Sequence, residues 1–305
     1  MMELNKTPLT IAEQIELLKL KGISLEDDAF VRRVLTHINY HRLRAYCFPH
    51  EKADRGNSGQ SSHSSISVDS FNYVFKLYTF DRSLRLLLLE AIEIVEIALR
   101  AHFVQVLAEK YGSHAYLNPS IFYIQDVHAN CIAILDKQLM RTNEAIVNNC
   151  SIDYKNPIYP PIWAASELLT LGGLSRWIEN IKRRQDRQAV ALKLNLDEVV
   201  ARSFSHHLTH VRNICAHHGR IWNRKFTLTM RLPINPVSLN SQFNKNSFDQ
   251  RKVFNTLVIL CWCTKTIDPK TTWPARLKAL LKTRSDKELE LIGVVNGWAD
   301  FELFS

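Results

Sequence analysis

Hydrophobic residues recur every three or four positions over most of the chain, and this spacing predicts helices rather than strands. The longest such segment runs from Asp69 to Lys110, and Gly112 is placed to end it. Its length predicts one long helix, or two nearly in line, of the kind that forms the backbone of a helical bundle. The pattern therefore predicts an all-α fold.

Shorter segments with helical spacing lie on both sides of this one. The predicted helices cover residues 9–21, 25–37, 125–147, 163–171, 177–185, 252–266 and 273–283. Ser24 and Asp27 resemble a capping arrangement for the second of these, and Gly172 with Gly173 should stop the fourth. Only residues 226–232 alternate with a period of two, which predicts a short strand or an extended arm.

The Ser-rich residues 55–68 lack any periodicity, which predicts a flexible loop. The chain is thereby divided into an N-terminal helical segment, 1–54, the loop, and a helical core with C-terminal helices, 69–305.

One predicted helix carries most of the residues that can move protons or hold an anion. It begins at Asp197, an N-cap type of residue, and Gly219 is expected to end it in a left-handed conformation. Because successive residues of a helix are rotated by about 100°, polar side chains fall on one side of this helix and apolar side chains on the opposite side. The polar stripe is His206, His210, Asn213 and His217, and the apolar side is Phe204, Leu208, Val211 and Cys215.

The composition argues against a membrane-spanning protein and against a small secreted protein held together by disulfides. The 305 residues include few glycines and contain no apolar run long enough to cross a bilayer. The N-terminus has no secretory leader, and the six cysteines show no disulfide-framework spacing. These features predict a cytoplasmic protein with no membrane partner.

The formal net charge of +9 favours an anionic partner, and nucleic acid is the commonest one for a basic protein. The run from Asn39 to Tyr46 mixes aromatic side chains with Arg42 and Arg44, which suits base stacking and phosphate contact. Lys182 and Arg183 form a second candidate RNA contact. For both, the alternative is a packed helix end with solvated charges.

The sequence lacks the motifs of several common enzyme classes. There is no glycine-rich phosphate loop, no dinucleotide fingerprint and no His-Glu-x-x-His. A zinc-dependent hydrolase using His206 and His210 is an open alternative, although no third ligand has matching spacing. Cys215 lies on the apolar side, where a thiol is normally inert. Neither a metal nor a cofactor is predicted.

Metal-free cleavage of an RNA phosphodiester fits the residues of this helix. An imidazole can take the proton of the attacking 2′-hydroxyl or supply one to the leaving 5′-oxygen. A guanidinium can hold the phosphate and offset the developing charge. His217 and Arg212 supply one of each, and Asn213 can orient the histidine or hold a phosphate oxygen.

Arg212 to Asn223 reads Arg-Asn-Ile-Cys-Ala-His-His-Gly-Arg-Ile-Trp-Asn, which resembles the abortive-infection proteins of the AbiD and AbiF type. Its shorter part, Arg212 to His217, resembles the signature of HEPN-domain ribonucleases. Residues 9–22, 39–43 and 161–172, the last with Trp163 and Glu167, are similar to the same group. The resemblance thus covers nearly the whole chain.

The resemblance implies a HEPN-like helical bundle that dimerises, with both motifs meeting in a shared cleft. It also implies a metal-independent endoribonuclease with a toxin-like antiphage role, and a small structured noncoding RNA as a regulatory partner. The residues assigned to catalysis are Arg212, Asn213 and His217. His210, His218 and Arg220 are candidate RNA contacts, with a structural role as the favoured alternative for His218 and Arg220. The alternative function is a non-catalytic RNA-binding regulator using the same basic surface.

Overall fold

The computed structural model describes residues 8–47, 70–142 and 159–304. Within these ranges all regular secondary structure is helical. The only β-pairing there is two isolated bridges, Ser24 with Ser70 and Phe122 with Ile181. The predicted all-α fold is therefore confirmed. The predicted Ser-rich loop, 55–68, lies outside the described residues.

The α-helices of the described ranges are numbered here in chain order. They are α1 Ile11–Leu20, α2 Asp28–His37, α3 Tyr40–Cys47, α4 Phe71–Tyr111, α5 Gln125–Leu139, α6 Ile162–Ala165, α7 Leu171–Asn180, α8 Arg184–Leu192, α9 Glu198–Ala216, α10 Val237–Asn240, α11 Phe254–Ile267, α12 Trp273–Leu281 and α13 Asp286–Glu290.

Helix α4 is a single element of 41 residues, which corresponds to about 60 Å at 1.5 Å per residue. It starts where the Ser70 side chain accepts a hydrogen bond from the Tyr73 amide, and it ends at Gly112, whose φ of 89° suits glycine. Its apolar stripe is buried along the whole length, so other helices can pack on it from several sides. One of the two predicted alternatives, a single long helix, is confirmed.

Two helices begin or end at other residues than predicted. Helix α2 begins at Asp28 rather than Leu25, since Asp27 accepts from the Phe30 amide and acts as the N-cap. Helix α5 ends at Leu139, and residues 143–147 of its predicted extension lie outside the described ranges.

Gly172 and Gly173 start a helix instead of stopping one, so that prediction was wrong. The Thr170 side chain accepts a hydrogen bond from the Gly173 amide, which caps the first turn of α7. A Cβ at Gly172 would lie 3.0 Å from the Thr209 side chain in α9. The glycine therefore allows α7 and α9 to approach closely, which a local sequence pattern does not reveal.

The segment predicted as one helix from Trp177 to Gln185 is divided between α7 and α8. Ile181 leaves the helix, becomes fully buried and forms the isolated bridge with Phe122. Residues 226–232 form no strand; they are an irregular arm with a bend at 227 and 228.

Helix α9 packs against α4, α7 and α8 with one side and is exposed on the other. Helices α4 and α9 run in opposite directions, because Asp81 near the start of α4 contacts the residues after α9, whereas Lys110 at its end contacts α8. The buried residues, from Ile15 to Phe304, form one hydrophobic cluster to which α1–α3 also contribute.

Candidate functional site

The faces of α9 follow the predicted division into a polar and an apolar side. Asp197 caps the helix through the Val199 amide. Phe204, Leu208, Val211 and Cys215 are almost completely buried. On the other side, His206, Asn213 and His217 are exposed, while Arg212 and His210 are half-buried.

The end of α9 differs from the prediction in one respect. His218 and not Gly219 takes the left-handed conformation, with φ of 56°. The His218 amide donates to the Cys215 carbonyl and the Gly219 amide to the Ile214 carbonyl, the pairing of a Schellman motif. A Cβ at Gly219 would lie 2.9 Å from the Ile214 side chain and 3.0 Å from its carbonyl oxygen. Gly219 is therefore required for close approach, not for a positive φ.

The three predicted catalytic side chains are presented by the last turns of this anchored helix. Arg212, Asn213 and His217 form no side-chain hydrogen bond or ion pair with any part of the chain that the structure describes. Arg212 and His217 are five residues apart, about 7.5 Å along the axis. Neither is sealed in the core, so both can reach a molecule bound at this surface.

A buried carboxylate, which the sequence pattern did not identify, holds the residues that follow the motif. Asp81 is fully buried, and its Oδ1 accepts hydrogen bonds from the amides of Ile221 and Trp222 at 3.0 and 2.7 Å. Its Oδ2 accepts from the Tyr46 hydroxyl at 2.5 Å and from the Arg85 guanidinium. Burial raises the pKa of Asp81, and these donors counteract part of the rise. Asp81 thus joins α3, α4 and the loop after α9.

The pairs Asp81–Arg85 and Glu96–Arg100 look alike in sequence but differ in the structure. Both pairs have the i, i+4 spacing of ion pairs on a helix surface. Asp81 and Arg85, however, are buried in the core. A signal was present, because Asp81 falls in the apolar stripe of α4. Arg100 binds Glu96, Glu167 and the Leu169 carbonyl oxygen, and within the described residues it forms no hydrogen bond with a histidine of α9.

Two arginines predicted to contact RNA also join α3 to the end of α9. Arg42 donates to the His218 carbonyl oxygen at 2.7 Å, and Arg220 donates to the Ala45 carbonyl oxygen at 2.9 Å. His218 itself is exposed beside His217. The N-terminal helices therefore help to fix the loop that carries His218, while Arg44 lies exposed on the same helix.

His207, which the sequence reasoning left unassigned, attaches the irregular arm to α9. Its Nδ1 lies 2.8 Å from the Leu228 carbonyl oxygen and its Nε2 lies 2.8 Å from the Thr256 hydroxyl. A carbonyl only accepts, so Nδ1 carries the proton and Nε2 accepts from Thr256. Burial lowers the pKa of His207 to about 4, which keeps the ring neutral. His210 faces the same arm, with Nε2 3.4 Å from the Thr227 hydroxyl.

The buried His207 predicts a pH-dependent loss of stability. The unfolded chain, with a histidine pKa near 6.5, binds this proton before the folded chain does as the pH falls. Stability should therefore decline from pH 6.5 to about 4, by up to about 3 kcal/mol from this residue. Urea unfolding at pH 7, 5.5 and 4.5 measures the decline. His207→Asn, which cannot titrate, should show a flatter dependence, and parallel curves for both proteins would contradict the assignment.

Lys182 and Arg183 do not join the other candidate RNA contacts. They lie exposed between α7 and α8, and the next residue, Arg184, pairs with Glu198 at the first turn of α9. His217 lies at the opposite end of that helix, about 28 Å away along the axis.

The zinc alternative lacks a third ligand in the described ranges, where no group of three or more histidine, cysteine, aspartate or glutamate residues is placed to hold a metal ion. Cys215 is equally unsuited to act as a nucleophile, because burial raises its pKa to about 12. In the same ranges, none of the helices combines the length and the hydrophobicity that a bilayer-spanning segment needs.

Comparison with known proteins adds one finding to this geometry. The family model of the Abi-like proteins matches residues 33–223, a span that begins in α2, includes Asp81 and α9, and closes on the last residue of the Arg212 to Asn223 motif. No curated protein and no solved structure matches the chain significantly. Because the matched span exceeds half of the 305 residues, the chain belongs to the Abi-like family of abortive-infection proteins.

Proposed function

We propose that the chain is a metal-independent endoribonuclease of the HEPN type. The observation that carries this proposal is the placement of Arg212, Asn213 and His217. They share the last turns of one helix whose opposite face is packed in the core, and their side chains form no hydrogen bond or ion pair with the described residues. A structural role would instead engage them with neighbours, as it does for His207 and Arg42.

The reaction needs one group to accept a proton and one to donate a proton. A neutral imidazole takes the proton of the 2′-hydroxyl, whose oxygen attacks the adjacent phosphorus. The bond from phosphorus to the 5′-oxygen breaks, and a protonated imidazole delivers its proton to that oxygen. The products are a 2′,3′-cyclic phosphate and a 5′-hydroxyl, and no water is consumed. His217 is assigned to proton transfer in this scheme.

Arg212 is assigned to the phosphate. Its planar guanidinium can donate two parallel hydrogen bonds to the non-bridging oxygens, where negative charge grows during the attack. Asn213, one position further along the helix, can orient His217 or donate to the same oxygens.

One chain offers a single His217, so we propose that two copies pair through this surface. His217 of a second copy then supplies the second proton-transfer group, and the two exposed motifs form the walls of a shared cleft. Two grooves in the described part of the chain, of about 500 and 270 Å³, are lined by residues of other regions, including Tyr159 and Trp298. The open position of the motif therefore suits a cleft completed by a partner.

RNA is also the proposed regulatory partner. The net charge of +9 favours binding of a polyanion, and a small structured noncoding RNA bound over the motif would block access to Arg212 and His217. The abortive-infection role then corresponds to growth inhibition when the bound RNA is released.

Substrate chemistry provides the sharpest test of the catalytic proposal. RNA that the purified protein cuts in EDTA is resynthesised with one 2′-deoxynucleotide on the 5′ side of the cut. Cleavage at that bond should be abolished, because the attacking hydroxyl is absent, while neighbouring bonds stay sensitive. The released fragments should carry a cyclic phosphate and a 5′-hydroxyl.

Three results would count against the nuclease. They are cleavage at the 2′-deoxy position, loss of all activity in EDTA, and intact RNA under every condition in which expression inhibits growth. In the last case, RNA that copurifies with the protein would favour a non-catalytic RNA-binding regulator, whose affinity should fall steeply with salt.

A further inference from the structure

A small aromatic and basic surface lies at the end of α9 away from His217. It consists of Tyr123, Lys182 and Arg183 and is called here the distal surface. Tyr123 and Lys182 are held on adjacent extended segments, since the Tyr123 amide donates to the Asn180 carbonyl and the Lys182 amide donates to the Ile121 carbonyl, each at 2.8 Å. The backbone of the distal surface is thus fixed, although it lies between helices.

The side chains of the distal surface are exposed, and none has a partner within the described ranges. Tyr123 is 73% exposed, although its neighbour Phe122 is buried against the ring of His128. Tyr123, Lys182 and Arg183 form no side-chain hydrogen bond, ion pair or ring contact with the residues that the structure describes. An anchored backbone therefore presents one free aromatic ring and two free cations to solvent.

The charges around the distal surface favour the binding of an anion. Residues 176–187 contain five basic and two acidic side chains. One of the acidic pair, Asp186, is buried and already bound by Lys110 and Tyr111. The nearby Glu198 is likewise buried and contacts three arginines, so it leaves positive charge in surplus.

We propose that the distal surface is a second RNA-binding site, which holds a single-stranded part of the RNA far from the bond to be cut. Single-strand binding sites combine aromatic rings, on which bases stack, with cations that follow the phosphates. Tyr123 supplies the ring, and Lys182 with Arg183 supplies the cations. This inference deepens the proposed function by naming the substrate class, an RNA with an unpaired segment beyond the cleavage site.

The separation of the two sites predicts a dependence on RNA length. About 28 Å along α9 corresponds to roughly eight nucleotides at the 3.4 Å spacing of a duplex strand, and to fewer in a stretched strand. A short RNA can occupy one site only, whereas a 20-nucleotide RNA can reach both.

The test measures binding and not cleavage. The full chain is titrated in EDTA into labelled 2′-O-methyl oligouridine of 5 or 20 nucleotides, which cannot undergo 2′-hydroxyl attack. Tyr123→Ala should weaken binding of the 20-mer at least about fivefold, and Tyr123→Phe, which keeps the ring, should bind within about twofold of wild type. Lys182→Gln with Arg183→Gln should reduce the salt slope of binding by about 1.4.

A matched control removes two exposed charges elsewhere, Lys270→Gln with Lys282→Gln, and should change the salt slope less. The inference is overturned if the wild type does not bind the 20-mer, or if Tyr123→Ala and the distal charge variant bind it like the control. It is also overturned if Tyr123→Ala weakens 5-mer, duplex and 20-mer binding equally. If the distal surface fails these tests but the protein still cleaves RNA, the nuclease proposal stands. If binding depends on RNA length but no cleavage is found, the result supports the distal binding site and not the nuclease.

Discussion

Alanine in place of Arg212 or His217 is expected to slow RNA cleavage at least about 100-fold while the chain stays folded. Loss of a positioned proton-transfer group costs about 10²–10⁴ in rate, and loss of a donor to the developing charge costs about 10²–10³. Neither side chain forms a hydrogen bond or an ion pair with the described residues, so the melting temperature should change by no more than about 2 °C. Single-turnover cleavage of labelled RNA in EDTA, beside a thermal melt of each variant, measures both quantities.

Matched controls separate the motif from a general loss of charge. Arg32→Ala and His37→Ala remove exposed residues of the same types on α2 and should leave cleavage within about twofold. Arg212→Lys keeps the charge but loses the planar fork, so its rate should fall between those of wild type and Arg212→Ala. A His217→Ala protein that cuts RNA at the wild-type rate would remove the catalytic assignment, whatever its effect on binding.

Asp81→Ala is expected to lower the free energy of unfolding by about 3–5 kcal/mol, the range for breaking a buried ion pair. The variant leaves the Arg85 guanidinium, the Tyr46 hydroxyl and the amides of Ile221 and Trp222 without their common acceptor. For a chain of this size the melting temperature should fall by roughly 10 °C. Urea unfolding followed by circular dichroism gives the free energy directly.

Three further variants test whether the loss comes from this cluster. Glu93→Ala, at an exposed position of the same helix, should change stability by less than about 0.5 kcal/mol. Tyr46→Phe removes one of the four donors and should cost about 1 kcal/mol. Asp81→Leu combined with Arg85→Met removes both charges and should destabilise less than Asp81→Ala. A loss below about 1 kcal/mol for Asp81→Ala would show that the cluster does not stabilise the fold as described.

The Asp81 cluster also connects stability with the candidate site. The amides that it binds belong to the loop after His218, and Arg42 donates to the His218 carbonyl oxygen. The end of α9 is therefore fixed by α3 and α4 together. The family match agrees with this arrangement, because residues 33–223 include both helices as well as the motif.

The positions of most helices were predictable because they depend on local chemistry. The apolar repeat of α4, its end at Gly112, the Asp197 cap and the buried face of α9 all follow from residues within a few turns of one another. The same local pattern placed His217 and Asn213 on the polar side, where both are exposed.

Features that depend on residues distant in sequence were not predictable in this way. The position of Asp81 in the apolar stripe of α4 indicates burial, but the sequence of α4 does not reveal the partners of this carboxylate, because Tyr46 and Trp222 belong to other segments. Gly172 suggested a helix end, whereas it is the side chain of Thr209 in another helix that requires a glycine there.

The sequence by itself determined that the protein is helical, where α4 ends and α9 begins, and which side of α9 is polar, because capping and helical spacing act over a few residues. Only the tertiary structure decided that His207 attaches the arm and that Arg42 and Asp81 fix the loop after His217. It also decided that Lys182 lies at the opposite end of α9. The contacts of His207, Arg42 and Asp81 join residues from 21 to 176 positions apart. Their free energy comes from burial and hydrogen bonding between elements that no local pattern relates.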